Sequence, residues 1–178
     1  SSYASANATT GAVTVNSTNL IQNSWDFSST AWDGDTLGAN PWSPKANFVF
    51  TSAQSDPFGT NKAFRVALGT SGRPYQQRDS TPNLTLNYDN VVASLYVKYG
   101  NTPNLIFGLN NTTTNTEYEQ TFNFSNGVPV FSSGTNDGTT VVDAGNGWYR
   151  ISMRLALLSR GIKAHSFKGR VTPAGSSG

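Results

Sequence analysis

From residue 46 onward, apolar residues come in short runs separated by turn residues, and the runs alternate instead of recurring at helical spacing. In 91–99 the odd positions Val91, Ala93, Leu95, Val97 and Tyr99 are apolar, while Ser94, Tyr96 and Lys98 take the other side and Val92 breaks the pattern. In 148–158 Tyr149, Ile151, Met153, Leu155 and Leu157 make one face, and Trp148, Arg150, Ser152 and Arg154 the other. The run ends in Leu155-Ala156-Leu157-Leu158, apolar on both sides, which predicts burial between layers or under a partner. Strands are predicted at 46–52, 62–68, 84–88, 91–99, 104–109, 117–124, 128–132, 139–143 and 148–158, with a further one at 162–171. Turn residues sit between them, as in Ser71-Gly72, Asn126-Gly127, Asn136-Asp137-Gly138 and Gly145-Asn146-Gly147. This is the spacing of an all-β, antiparallel sandwich.

Residues 1–18 are small and polar, with only Tyr3, Val13 and Val15 above alanine in apolar bulk, and read as an N-terminal arm or linker. The sandwich domain is expected over 19–158, followed by a basic C-terminal segment, 159–178. Composition agrees. Only 12% of residues are charged, the polarity resting on Asn, Ser, Thr and 17 Gly, all poor helix formers, while 10 Phe, 7 Tyr and 4 Trp supply core material. Helical bundles, coiled coils and charged disordered tails are thereby excluded.

The absence of Cys removes disulfides, cysteine nucleophiles and thiolate metal sites together. No stretch approaches the roughly 18 apolar residues of a membrane span, so no membrane insertion is expected, and Ser1 to Thr10 has the features of no cleavable signal. Asn-x-Ser/Thr sequons begin at Asn7, Asn16, Asn83, Asn110, Asn111 and Asn123, but a chain this rich in those residues produces them by chance. The net charge of +2 conceals an asymmetry. All ten acidic side chains fall within residues 1–143, and Arg150, Arg154, Arg160, Lys163, Lys168 and Arg170 follow with no acid among them. Such an end suits a phosphate or an acidic partner protein. It lacks the aromatic interleaving of a nucleic-acid surface, and no nucleic acid is expected as a partner.

Candidate chemistry is sparse. His165 is the one histidine and sits in the basic segment, where a surface role outweighs catalysis. Glu117 and Glu119 lie on one strand face about 7 Å apart, near the spacing of glycosidase carboxylates, but neighbours on one strand cannot flank a sugar from two sides. They are expected to meet Trp148, Arg150 and Arg154 across a sheet as opposite charges. Asp33-Gly34-Asp35 and Asn136-Asp137-Gly138 offer loop oxygens without EF-hand spacing and read as turns. No catalytic residue, metal site or cofactor is therefore expected. A neutral glycan needs a ring against the sugar face and amide or guanidinium donors on its hydroxyls. Trp42, stiffened between Pro41 and Pro44, and Arg73, Tyr75, Gln77 and Arg78 in the run 73–78 supply these groups and form the candidate glycan site.

Three motifs carry a resemblance. The run Asn19-Leu20-Ile21-Gln22-Asn23-Ser24-Trp25-Asp26-Phe27-Ser28 followed by Trp32, then Ser94-Leu95-Tyr96-Val97-Lys98, then Gly147-Trp148-Tyr149-Arg150-Ile151-Ser152, are together similar to sandwich modules of tailed-bacteriophage virion proteins. The likeness covers about residues 19–157. It implies a jelly-roll-like, lectin-like β-sandwich on a tail fibre, tailspike or head fibre. It further implies a virion location, host-surface polysaccharide and other virion proteins as partners, and no catalytic role. Family members close with a further strand carrying a Gly-Ala-Gln-Leu-Glu-like ending, whereas Ser159 to Gly178 is basic here, so a truncated end or a strand from another subunit are both open. The polar arm and the doubly apolar Leu155 to Leu158 lead us to expect a homo-oligomer joined through the chain ends. Two other functions stay open: a capsid or tail decoration with no ligand, and an accessory domain of a polysaccharide-degrading enzyme. Deleting 1–18 and 159–178 would spare a glycan binder and disable an assembly protein.

Overall fold

A computed structural model of the chain describes residues 3–6, 13–16, 48–68, 76–79, 85–86, 89–162 and 165–174. Every regular element among them is a strand: β1 (Tyr3–Ala6), β2 (Val13–Asn16), β3 (Phe48–Gln54), β4 (Ala63–Leu68), β5 (Gln76–Asp79), β6 (Thr85–Leu86), β7 (Asn90–Lys98), β8 (Asn104–Asn111), β9 (Thr116–Ser125), β10 (Val128–Gly134), β11 (Gly138–Gly145), β12 (Trp148–Ala156) and β13 (His165–Ala174). The described region is all-β and its sheets are antiparallel, as the alternating pattern predicts.

Two sheets organise most of the described chain. The larger runs in the order β10-β9-β8-β13-β5, with β6 also paired to β13, and the smaller runs β11-β12-β7. β1–β2 and β3–β4 form two-stranded ladders of their own. Tight turns set three of the hairpins. Asn126 and Gly127, and again Asn146 and Gly147, take positive φ in succession, the backbone that joins antiparallel strands through two residues without splaying them. Between β8 and β9 the buried Asn111 accepts the Thr113 and Thr114 N–H groups on Oδ1 at 3.1 and 3.3 Å, and Asn115 turns the chain with φ of 53°.

Both sheets bury one face in a common cluster. On β8 and β9 the buried residues lie opposite one another, Leu105 to Phe122 and Leu109 to Tyr118; on β12 and β7, Ile151 faces Leu95 and Leu155 faces Val91. Phe122, Ile151, Leu155 and Leu157 are fully enclosed. Each such side chain contributes roughly 1.5–3 kcal/mol by leaving water, so this cluster dominates the stability of the described region. Leu155 and Leu157 are the buried half of the doubly apolar run, whereas Leu158 is 73% exposed.

Among the described residues the chain passes between the sheets at 99–103, at 135–137 and from 157 onward. The second passage is pinned by Gln120, a fully buried amide on β9. Its Nε2 donates to the Thr135 carbonyl at 3.1 Å and its Oε1 accepts from Asn136 Nδ2, which also reaches Thr139 Oγ1 at 2.6 Å. A buried amide is tolerable only when both ends are satisfied, and here the passage itself supplies the partners. After the third passage β13 enters the larger sheet with β8 on one side and β5 on the other. The strand predicted at 162–171 is therefore found, as His165–Ala174, inside the segment read as a basic tail.

Candidate functional site

A cavity of about 530 Å³ opens where the β3–β4 connection meets β7 and the starts of β8 and β12. Its rim is a loop organised by one carboxylate. Asp56 Oδ1 accepts the N–H groups of Phe58 at 2.8 Å and Thr60 at 3.0 Å, and Oδ2 accepts the Lys62 N–H at 3.1 Å and the Thr60 hydroxyl. The Thr60 hydroxyl foremost, helped by these backbone donors, draws the Asp56 pKa down to about 2, although desolvation opposes it more than any single backbone donor favours it. Gly59, with φ of 79°, completes the turn. The result is a stiff loop that holds Phe58 out, 71% exposed, with its ring edge-on to Tyr96 at 5.1 Å between centroids.

Tyr96 belongs to the even face of β7, where the other positions are Asn90, Val92, Ser94 and Lys98 and all are exposed. Trp148 lines the wall from β12, and Phe124, stacked at a tilt on Tyr99 at 5.3 Å, lines it from β9. Lys62, Arg65 and Lys98 bring three cations to the cavity, and Asn101 and Asn104 bring amides. Rings, amides and cations around one opening of this size are the equipment of a small-ligand site, for which cavities of about 300–1,000 Å³ are usual. Among the described residues none of the three cations forms an ion pair.

The glycan site chosen from sequence falls largely outside the described residues. Trp42, Arg73 and Tyr75 lie outside the described residues. Gln77 and Arg78 lie on β5, with their backbone paired to Arg170 and Gly169 of β13, and their side chains are outside what the structure describes. What sequence reading missed was Phe58 and Tyr96. Two signals were present: a phenylalanine between Pro57 and Gly59, where a turn leaves a ring no core to enter, and a lone ring on the polar side of an alternating strand.

One expectation is overturned. Trp148, Arg150 and Arg154 do not face Glu117 and Glu119 across a sheet, because β12 is flanked by β11 and β7 while β9 lies in the other sheet between β8 and β10. Arg150 instead donates to Ser94 Oγ at 3.2 Å, and Arg154 to Asn90 Oδ1 at 2.8 Å and the Asp137 carbonyl at 2.6 Å. His165 is half-buried on β13 and not out on a tail. Its Nδ1 lies 2.8 Å from Asn111 Nδ2; since Asn111 Oδ1 already faces two N–H groups, the amide donates and the ring accepts. Asp137, one of the loop oxygens weighed for a cation, is engaged by Arg160 through Nε at 2.7 Å and Nη2 at 3.1 Å and by the Ala156 N–H at 2.7 Å. Among the described residues no cluster of three acidic or histidine side chains is arranged to hold a metal.

Two of the motifs behind the phage resemblance are neighbours in space, since Tyr149 pairs with Val97, Arg150 with Tyr96 and Ser152 with Ser94. The third, beginning at Asn19, lies outside the described residues. Compared with family models, curated proteins and solved structures, the chain matches none.

Proposed function

We propose that the chain is a non-catalytic glycan-binding or adhesion module of a bacteriophage virion fibre or appendage, with its two main sheets packed as a jelly-roll-like β-sandwich. The observation that carries the binding role is the open cavity lined by Phe58, Tyr96 and Trp148 with amide donors at its wall. A ring held out on a stiff loop loses little freedom when a sugar stacks on it, and the stacked area leaves water. The virion assignment rests on the sequence motifs alone. A second reading, an assembly or decoration protein, is favoured by the apolar side chains exposed on edge strands β10 and β11, among them Val130, Phe131 and Val142.

The test is a glycan-array screen followed by calorimetric titration of variants against the best hit. Phe58→Ala and Tyr96→Ala should each weaken binding roughly ten- to a hundredfold with the fold intact by circular dichroism. Trp42→Ala and Tyr75→Ala, run beside them, report on the site suggested by sequence. No hit on a broad array would refute the binding role and leave the assembly reading.

A further inference from the structure

Resting on that reading, we infer that the ligand of this cavity is an anionic polysaccharide, whose sugar rings meet Phe58 and Tyr96 and whose carboxylates or phosphates meet Lys62, Arg65 and Lys98. The charge pattern of the wall carries the inference. Three cations line the cavity against one acid, Asp56, and that acid is turned onto the N–H groups of its own loop. Both of its oxygens are occupied by donors of the loop, so it competes little with a ligand anion for direct contact with the lysines. Lys62, Arg65 and Lys98 come from the loop end, β4 and β7, three elements brought together by the fold, and all three are exposed with no ion pair among the described residues.

The chain invests few charges anywhere, 12% of its residues, which makes three cations on one opening a local concentration rather than a general property. The nearby rings argue against a bare phosphate as the natural ligand, because a free anion has no apolar face to set on Phe58, whereas a charged sugar offers both surfaces. Lys98 is seated by its neighbour as well. Gly147 in the β11–β12 turn has φ of 79°, and a Cβ there would come within 3.3 Å of Lys98 Cε, so the glycine leaves the lysine stem room to lie across the turn beside Trp148.

The experiment is an array that carries uronic-acid-bearing, phosphate-bearing and neutral bacterial polysaccharides, with a DNA oligonucleotide as a charge control. The strongest hit is then titrated with the whole chain at about 50 and 300 mM NaCl, and again after carboxyl reduction or dephosphorylation. We expect an acidic hit, weakened about tenfold or more by salt and by removal of its charge, since the screening length shrinks from roughly 14 Å to roughly 6 Å over this range. Lys62→Ala and Lys98→Ala should each cost several-fold and should flatten the salt dependence; Lys98→Arg should keep both. A neutral hit, or an acidic one indifferent to salt and to these lysines, overturns the inference and keeps the glycan-binding reading. Equal affinity for the oligonucleotide overturns it too, as unspecific charge attraction. No hit of any kind overturns both.

Discussion

A single carboxylate sets the geometry of the candidate site, and its titration is the most direct handle on the loop. Asp56 receives two N–H groups on one oxygen and an N–H and a hydroxyl on the other. All four donors favour the ionised form, and the largest effect comes from Thr60. In the unfolded chain the group titrates at its ordinary value of 3.8 and in the folded one at about 2. A depressed folded pKa means that the contribution is complete above the unfolded value and is lost as pH falls through the folded one. The loop should therefore keep its shape down to about pH 4 and loosen between there and pH 2. Carboxyl carbon shifts followed by NMR should give a midpoint near 2 for Asp56, and Thr60→Val should move it up toward 3.8. A midpoint already near 3.8 in the parent would mean that Phe58 is not held in place by this carboxylate.

At the scale of elements, the strand pattern was legible where alternation was strong. β12 encloses the odd positions Ile151, Met153 and Leu155 that its sequence predicts, β7 buries Val97 and half-buries Val91, Ala93 and Leu95 while Tyr99 is exposed, and β3, β4, β8, β9, β10 and β11 lie within two or three residues of expectation. β1, β2 and β5 were not legible, since Tyr-Ala-Ser-Ala, Val-Thr-Val-Asn and Gln-Gln-Arg-Asp are short and carry little apolar signal; such strands are defined by backbone pairing with a neighbour. Alternation tells which face is buried but not which strand lies alongside, which is why β12 was set beside the glutamates of β9. The candidate site was illegible for the same reason: Phe58, Tyr96 and Trp148 converge from a loop and two strands far apart in sequence. β13 has the largest consequence. The pattern places a strand at 162–171, but the basic residues Lys168 and Arg170 set it outside the sandwich domain, whereas it is paired on both edges and its Phe167 is 3% exposed. Deleting 159–178 would therefore remove an interior strand rather than a tail, and cannot separate binding from assembly. Phe167→Ala should cost about 3–5 kcal/mol in denaturant unfolding, as emptied aromatic core sites do. A cost below about 1 kcal/mol would show that β13 is not packed as an interior strand.

Across the molecule, two of the passages between the sheets are tied to each other. Asp137 lies in the passage from β10 to β11, and Arg160 in the passage from β12 to β13; the guanidinium grips both carboxylate oxygens and also stands over the ring of Tyr118 on β9, 5.4 Å from its centre. Each side chain is about one-quarter exposed. An isolated ion pair at that exposure contributes little to stability. This one has a different effect, because its planar fork meets two oxygens at once and a third bond, from the Ala156 N–H, holds the carboxylate on β12. The Arg160 hydrogen bond and then that N–H hold Asp137 below the ordinary carboxylate value of 3.8, and Asp137 in turn raises Arg160. The sign follows as for Asp56: the clasp is complete above about pH 4 and opens as pH falls toward the depressed folded value. Arg160→Ala should lower the melting temperature at pH 7 more than Arg160→Lys, since lysine keeps the charge but loses the fork. The same substitution should reduce the drop in melting temperature between pH 5 and pH 3, the carboxylate no longer having a bound proton competitor to lose. Amide hydrogen exchange locates the effect: protection should fall at 135–138 and 156–162 while the β8–β9 ladder stays protected. If Arg160→Ala leaves melting and exchange as in the parent, the two passages are held by Gln120 and the core alone.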